Sequence, residues 1–278
     1  ALYYSSVRRA DDCLNEVLKA LRKSEQWDNT MIVFLSDHGM PLPFAKTQLY
    51  HHSTRTPLMI RLPGITKAGK VEKHHMVSVL DLLPTVLDSL GIPKPKRLDG
   101  RSFFPILRGE KQENRDFVIK EYNENAGRSR DPMRAIQSKT HLYLFNPWSN
   151  GERIFATATN GTVTCKRMIK LAEDDERMNE RLELYRYRVP QELYNVKRDP
   201  DCLENLIHHP HHEKTKNKLM VLLEEWMVQT KDPLLECFQN RDEPEFVEAY
   251  IQKLEEEANA RRIKEKPSSK PKKEKKKS

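Results

Sequence analysis

The sequence predicts an α/β protein, in which a mixed α/β part is followed by a smaller α+β part with an antiparallel sheet. Two short apolar runs, at residues 31–36 and 58–62, and a segment of helical period at 77–90 predict the first part. Four short strand-like segments separated by polar turns predict the second part. The predicted regions are an α/β part, an α+β subdomain, and a charged helix with a Lys-rich tail, at residues 1–115, 116–240 and 241–278.

The first part opens with residues 5–24, whose apolar side chains recur at helical spacing. The run at 31–36 shows no alternation, which favours a parallel strand covered by helices on both faces. The second run, 58–62, ends at Pro63-Gly64. Residues 77–90 then predict a helix that stops before Gly91, a common helix-terminating residue.

The second part has strand-like segments and two helical segments in a fixed order. The predicted strands are 117–122, 133–138, 142–146 and 192–196, and the predicted helices are 213–229 and 243–263. Strands this close along the chain favour antiparallel pairing.

Charge is concentrated at the C-terminus. The chain has 278 residues and a net charge of +8. Residues 264–278 carry eight lysines against two glutamates, a net +6, so the other residues together carry only +2. The tail is expected to be solvated and disordered, with tethering to a polyanion as the alternative. The nearly neutral body gives no reason to expect a nucleic-acid partner, and no stretch reaches the ~20 apolar residues of a membrane span.

The four cysteines, Cys13, Cys165, Cys202 and Cys237, are far apart and form no Cys-x-x-Cys pair. This spacing excludes a zinc knuckle or a dithiol redox motif and leaves disulfide pairing open. The histidine-rich run at 208–212 falls in a predicted loop, and we interpret it as an exposed turn in preference to a metal site.

Ser36-Asp37-His38-Gly39 follows the first apolar run, at the strand end where open α/β sheets bind ligands. A carboxylate suits calcium or magnesium, and an imidazole suits zinc, so Asp37 and His38 are candidate metal ligands. Gly39 is expected to let the chain turn sharply and leave room for a ligand. Lys46, nine residues beyond Asp37, is a candidate anion-binding residue because an ammonium and a metal ion can face one oxyanion together.

These motifs occur with others in an ordered set that resembles the sulfatase family over residues 3–235. The further motifs are Thr56-Pro57-Leu58, residues 77–88, Asp99-Gly100-Arg101-Ser102, Glu192-Leu193-Tyr194-Asn195 and Glu204-Asn205-Leu206. Within the family, Pro132-Met133-Arg134 and Lys231-Asp232-Pro233 most resemble the heparan N-sulfatase (sulfamidase) branch. That branch commonly has Asn where this chain has His38.

The resemblance implies that residues 1–115 are the C-terminal part of a sulfatase α/β sandwich domain. It implies one Ca²⁺, with Asp37 and His38 at the metal, and His38 and Lys46 as catalytic, sulfate-side residues. Lys46 would bind the sulfate group of a sulfated carbohydrate substrate such as heparan sulfate. The resemblance also allows a dimer, and it implies export, either to a lysosome or to a bacterial periplasm.

One departure from the family concerns the nucleophile, which sulfatases make as formylglycine from a Cys-x-Pro-Ser-Arg motif. None of the four cysteines begins such a motif. The chain is therefore expected to be inactive alone, with unpaired strand edges where the rest of the sheet would lie. Two alternatives stay open: a zinc phosphodiesterase or phosphatase of the related alkaline-phosphatase superfamily, and a non-catalytic polyanion-binding module.

Overall fold

A computed structural model describes residues 2–125, 130–155 and 157–264. The helices, in chain order, are α1 (Leu2–Lys23), α2 (His51–Thr54), α3 (Leu82–Ser89), α4 (Phe104–Leu107), α5 (Val163–Leu171), α6 (Glu176–Tyr187), α7 (Glu213–Thr230), α8 (Leu235–Gln239) and α9 (Pro244–Lys264). The strands are β1 (Ile32–Leu35), β2 (Leu58–Arg61), β3 (Phe117–Tyr122), β4 (Met133–Ser138), β5 (Leu142–Phe145) and β6 (Gln191–Tyr194). The lysines of the tail beyond Lys264 lie outside the described residues.

The chain divides into two compact units. The first contains Ala1–Asp37 and Thr56–Arg115, and the second contains His38–Arg55 and Asp116–Ser278. Residues 38–55 therefore belong to a different unit from the residues on either side of them. The division into 1–115, 116–240 and 241–278 stays a prediction.

In the first unit, β1 and β2 pair antiparallel, with Ile32 opposite Arg61 and Leu35 opposite Leu58. The expectation of a parallel strand at 31–36 is therefore wrong: among the described residues β1 pairs with β2 in a two-stranded sheet. The expected cover on both faces is also incomplete, since Phe34 is 38% exposed and Met59 58% exposed. An unbroken apolar run predicts burial, but it does not determine strand direction.

Asp81, a residue of the motif at 77–88, connects several segments of the first unit by hydrogen bonds. Its carboxylate accepts hydrogen bonds from the backbone N–H groups of Ser78 and Arg101 and from the guanidinium of Arg115, at 2.5 Å from Arg115 Nη1. Gly100 lies so close to this segment that a Cβ there would stand 2.0 Å from the carbonyl oxygen of Leu80. The sequence segments around residues 81 and 100 are thus joined by buried hydrogen bonds and close packing.

The second unit is built on an antiparallel sheet of order β3-β4-β5-β6. Side chains alternate between its two faces, as expected for strands. Tyr143 and Phe145 pack with α7 and α8 on one face. Leu142 and Leu144 pack on the other face with α5, α6 and residues from 44–50. The predicted strands and helices of this α+β part are confirmed to within two residues at each end, whereas α5, α6 and α8 were not predicted.

A buried ion pair joins β4 to the segment that follows α7. Arg134 is 1% exposed, and its Nε donates to Asp232 Oδ2 at 2.7 Å. Asp232 also accepts a hydrogen bond from the backbone N–H of Leu234. Both charged residues belong to the motifs that resemble the sulfamidase branch. All four cysteines are free thiols, and every helix in the described residues is too short or too polar to cross a bilayer.

Candidate functional site

The two candidate metal ligands are consecutive in the chain but belong to different units. Asp37 is the last residue of the first unit's opening segment, two positions beyond β1, and His38 is the first residue of the second unit. Both side chains are exposed. The structure thus places Asp37 in one unit and His38 and Lys46 together in the other, and their grouping into one site stays a prediction.

The His38 ring is oriented by its own loop. Its Nδ1 lies 2.8 Å from the carbonyl oxygen of Gly39. A carbonyl oxygen only accepts hydrogen bonds, so this contact requires the proton on Nδ1. In the neutral ring the lone pair then lies on Nε2.

Gly39 is needed for close packing of the loop on itself. A Cβ at this position would stand 2.9 Å from the carbonyl oxygen of Ala45 and 3.6 Å from that of His52. The expectation that Gly39 leaves room for a ligand is therefore revised: the space is filled by backbone of the same loop. The backbone of Ala45, the residue before Lys46, is brought near Gly39 in this way.

Lys46 lies in a strained turn. Phe44 has a φ of 63° and Thr47 a φ of 55°, in the left-handed region that residues with a Cβ rarely adopt. Such conformations persist only where the surroundings enforce them, and they are frequent at binding sites. The Lys46 side chain is half-buried. No sequence pattern predicts positive φ at Phe44 and Thr47, because neither is Gly, Asn or Asp.

Aromatic and cationic side chains of α6 hold this turn in place. The guanidinium carbon of Arg181 lies 3.5 Å from the centroid of the Phe44 ring, and Tyr50 and Tyr185 contact the same ring at its edges. The Arg188 guanidinium lies 4.9 Å from the Tyr50 ring and donates to the Tyr50 hydroxyl at 3.1 Å. Cation–π contacts of this kind favour a fixed orientation of the rings.

A buried carboxylate, that of Glu192 in β6, anchors the end of the same loop. It accepts hydrogen bonds from the Tyr50 hydroxyl at 2.6 Å, from Asn146 Nδ2 at 2.7 Å and from the Tyr194 hydroxyl. Glu192 is 0% exposed. Burial raises the pKa of Tyr50 well above its usual value, and the neighbouring Glu192 charge raises it further, so the hydroxyl stays a donor. Sequence reasoning identified Glu192 as a motif residue but did not connect it with the site loop.

Lys120 in β3 anchors the middle of the loop. Its Nζ donates to the carbonyl oxygen of Leu49 at 3.1 Å and to Gln137 Oε1 at 2.6 Å. The amide of Gln137 in turn donates to Nδ1 of His51 at 2.9 Å, which requires an unprotonated Nδ1. Burial lowers the pKa of Lys120 to about 7 and lowers the pKa of His51 as well.

The lowered pKa of Lys120 predicts a pH-dependent stability. Between about pH 7 and the unfolded value of 10.5 the unfolded chain binds more protons than the folded chain. Stability contributed through Lys120 therefore rises with pH in this window. The free energy of unfolding in urea is expected to increase from pH 7 to 8.5 by about 1 kcal/mol more in the parent chain than in Lys120→Met. Equal increases in the two chains would contradict the prediction.

The metal-binding capacity of the described residues is limited. Within residues 2–125, 130–155 and 157–264 there is no group of three or more His, Cys, Asp or Glu side chains arranged to hold a metal ion. Calcium takes six to eight oxygen ligands, of which the Asp37 carboxylate can supply one or two. The His38 imidazole supplies nitrogen, which suits transition metals better than calcium.

Comparison with known proteins identifies the relatives of this chain. Residues 1–92 match the sulfatase family model. The human N-sulphoglucosamine sulphohydrolase is 29% identical over 247 residues, which cover 84% of this chain and 48% of the relative. The N-acetylglucosamine-6-sulfatase of Bos taurus is 31% identical over 211 residues, 73% of this chain and 36% of the relative.

The chain is also similar to solved structures of sulfatases. A 2-O GAG sulfatase superposes with a TM-score of 0.57 at 26% identity, covering 78% of this chain and 40% of that one. The chain therefore spans less than half the length of the relatives that it matches. The α/β fold class and the resemblance to sulfatases that the sequence motifs indicated are both confirmed.

Proposed function

We propose, on the premise that residues 1–92 are sulfatase-family sequence, that the protein containing this chain hydrolyses sulfate esters or N-sulfate groups of sulfated glycans. The observation that carries the proposal is the family match itself, because it spans Asp37, His38 and the loop with Lys46. Similarity to a human N-sulphoglucosamine sulphohydrolase over 84% of the chain supports a glucosamine-containing polysaccharide such as heparan sulfate as substrate. Export, to a lysosome or a periplasm, and dimer formation are part of the same proposal.

The proposed roles follow from the chemistry of the three side chains. Sulfate transfer develops negative charge on the sulfate oxygens and on the leaving oxygen, and a fixed cation nearby stabilises that charge. Lys46 supplies an ammonium from a turn whose backbone is held rigidly. His38 presents Nε2, and Asp37 supplies a carboxylate for one divalent cation, proposed to be Ca²⁺. When bound, that cation would polarise a sulfate oxygen as a Lewis acid.

An assay of two proteins tests the proposal. The 278-residue chain alone is expected to show no turnover of sulfated glucosamine substrates, because none of its cysteines begins the nucleophile motif. In an active protein that contains this chain, Lys46→Met is expected to lower kcat/KM for sulfated substrates by at least about tenfold. Lys67→Met, at an exposed position in the other unit, is the matched control and is expected to change little.

Two outcomes would contradict these expectations, the first for the inactivity of the chain alone and the second for the sulfatase function. Turnover by the chain alone, above that of its own Lys46→Met variant, would show that another nucleophile is present. Activity of the longer protein on phosphate esters with two bound zinc ions, and none on sulfated sugars, would favour the phosphodiesterase alternative. Metal analysis of the same preparation distinguishes the two functions. The sulfatase proposal requires one divalent cation, and the phosphodiesterase alternative requires two zinc ions.

A further inference from the structure

The histidine-rich run at 208–212 contacts a histidine from another part of the second unit. His141 lies just before β5, and its Nε2 stands 3.2 Å from Nδ1 of His212. The two ring centroids are 5.2 Å apart, and both side chains are half-buried. The interpretation of 208–212 as an exposed turn therefore holds for His208, His209 and His211 but not for His212.

A third imidazole is placed beside this pair by the local backbone. Residues Pro210–His212 form a 3₁₀ turn that follows His209, and the N–H of His212 donates to the carbonyl oxygen of His209 at 2.9 Å. Side chains three residues apart lie on the same side of a 3₁₀ turn. The rings of His209 and His212 are accordingly in edge contact, with centroids 5.3 Å apart. Because His209 is exposed, its ring can rotate without displacing other packed groups.

The distance between the two nitrogens suits a shared metal ion. Zinc binds imidazole nitrogen at about 2.0–2.1 Å, so two ligands of a tetrahedral zinc ion stand roughly 3.3 Å apart. The 3.2 Å between His141 Nε2 and His212 Nδ1 is close to that value. Without metal the same contact is an N–H···N hydrogen bond. Zinc would bind both nitrogens once the proton between them moves to the far nitrogen of its ring and the two rings tilt so that both lone pairs point at the ion.

The other nitrogen of His141 has the partner that a metal-bound histidine requires. Its Nδ1 lies 2.9 Å from the hydroxyl oxygen of Thr140. If Nδ1 carries the proton and donates to this hydroxyl, Nε2 keeps its lone pair toward His212. Metal-binding histidines are commonly oriented by a hydrogen bond of this kind. Burial lowers the pKa of His141.

We propose that His141, His209 and His212 form a binding site for a divalent transition metal that prefers imidazole, with Zn²⁺ as the representative ion. Two nitrogens are already at ligand spacing, and rotation of the exposed His209 ring supplies the third. In this structure the three rings do not point at a common position, and no group of three metal ligands is preformed among the described residues. The site would join the β4–β5 hairpin to the start of α7, and it is independent of the proposed sulfatase chemistry.

Zinc titration of the 278-residue chain tests the site. After removal of metal with EDTA, ZnCl₂ is expected to bind saturably and to raise the Tm, whereas CaCl₂ and MgCl₂ have no comparable effect because hard cations prefer oxygen ligands. His141→Ala and His212→Ala are each expected to weaken zinc binding by roughly tenfold or more. His141→Gln serves as a second variant, since its amide can still hydrogen-bond to His212 but is a poor zinc ligand.

His208→Ala is the matched control, because it removes an exposed imidazole of the same run and leaves the three proposed ligands unchanged. It is expected to bind zinc as the parent chain does. Equal zinc affinity in His141→Gln and in the parent would overturn the proposal, since binding would then come from adventitious chelation by the 208–212 run. Absence of saturable binding to the parent chain would overturn it as well.

Discussion

Replacement of Glu192 by leucine is expected to lower the free energy of unfolding by about 3–5 kcal/mol and to release the loop at 38–55. The substitution keeps most of the side-chain volume but leaves three buried donors, on Tyr50, Tyr194 and Asn146, without their acceptor. An unsatisfied buried donor costs about 1–3 kcal/mol. Urea unfolding measures the loss of stability, and amide hydrogen exchange measures the opening of the loop.

Glu204→Leu is the matched control for this experiment. Glu204 belongs to the same C-terminal group of motifs but is exposed, so its replacement is expected to change stability by less than about 0.5 kcal/mol. Glu192→Gln retains one acceptor oxygen and should give an intermediate loss. If Glu192→Leu destabilised the chain while exchange at 44–50 stayed at the parent rate, the carboxylate would support the sheet alone, and its role in anchoring the loop would be refuted.

Replacement of Asp232 by alanine is expected to cost about 3–5 kcal/mol, because it removes the carboxylate 2.7 Å from the buried guanidinium of Arg134 and leaves the guanidinium with the exposed Glu121 carboxylate at 3.9 Å. Arg134 is 1% exposed and lies between β3 and β5 in the centre of the sheet, where water cannot replace the carboxylate. The variant also loses the hydrogen bond to the N–H of Leu234. Denaturant unfolding of the chain provides the measurement.

Two further variants define the cause of that loss. Glu248→Ala removes one partner of the more exposed ion pair with Arg153, and the expected cost is about 1 kcal/mol or less. The double variant Arg134→Met with Asp232→Ala removes both charges together, and it should be more stable than Asp232→Ala alone. A double variant that is less stable than Asp232→Ala would assign the loss to packing instead of to the unpaired charge.

Much of the second unit could be predicted from its sequence. Strands β3 and β4 lie where the strand-like segments at 117–122 and 133–138 were identified, because short apolar segments between polar turns determine them locally. Helices α5 and α6 and the short helix α8 were missed. Three of the nine residues of α5 and six of the 12 residues of α6 are charged, and only a few, such as Cys165, Leu182 and Tyr185, are buried. Their position depends on packing against the sheet, which no local pattern records.

The candidate site could likewise be predicted only in part from the sequence. Asp37, His38 and Lys46 could be selected from the sequence, since their residue types and spacing carry the chemistry. The groups that hold the loop could not, because Lys120 is 71 residues from its partner Leu49, and Arg188 is 138 residues from Tyr50. Several of the motif residues that indicated the family stabilise the structure. Asp81, Glu192 and Asp232 each accept several buried hydrogen bonds.

The contact between Tyr50 and Glu192 has a consequence for the order of folding during synthesis. The two residues are 142 positions apart, so the ribosome produces the loop with His38 and Lys46 long before it produces the strand that secures it. Until then the loop must remain unfixed, because contacts between distant residues form only after the chain between them is available. Termination of synthesis before residue 192 should therefore damage the candidate site as severely as a substitution within it.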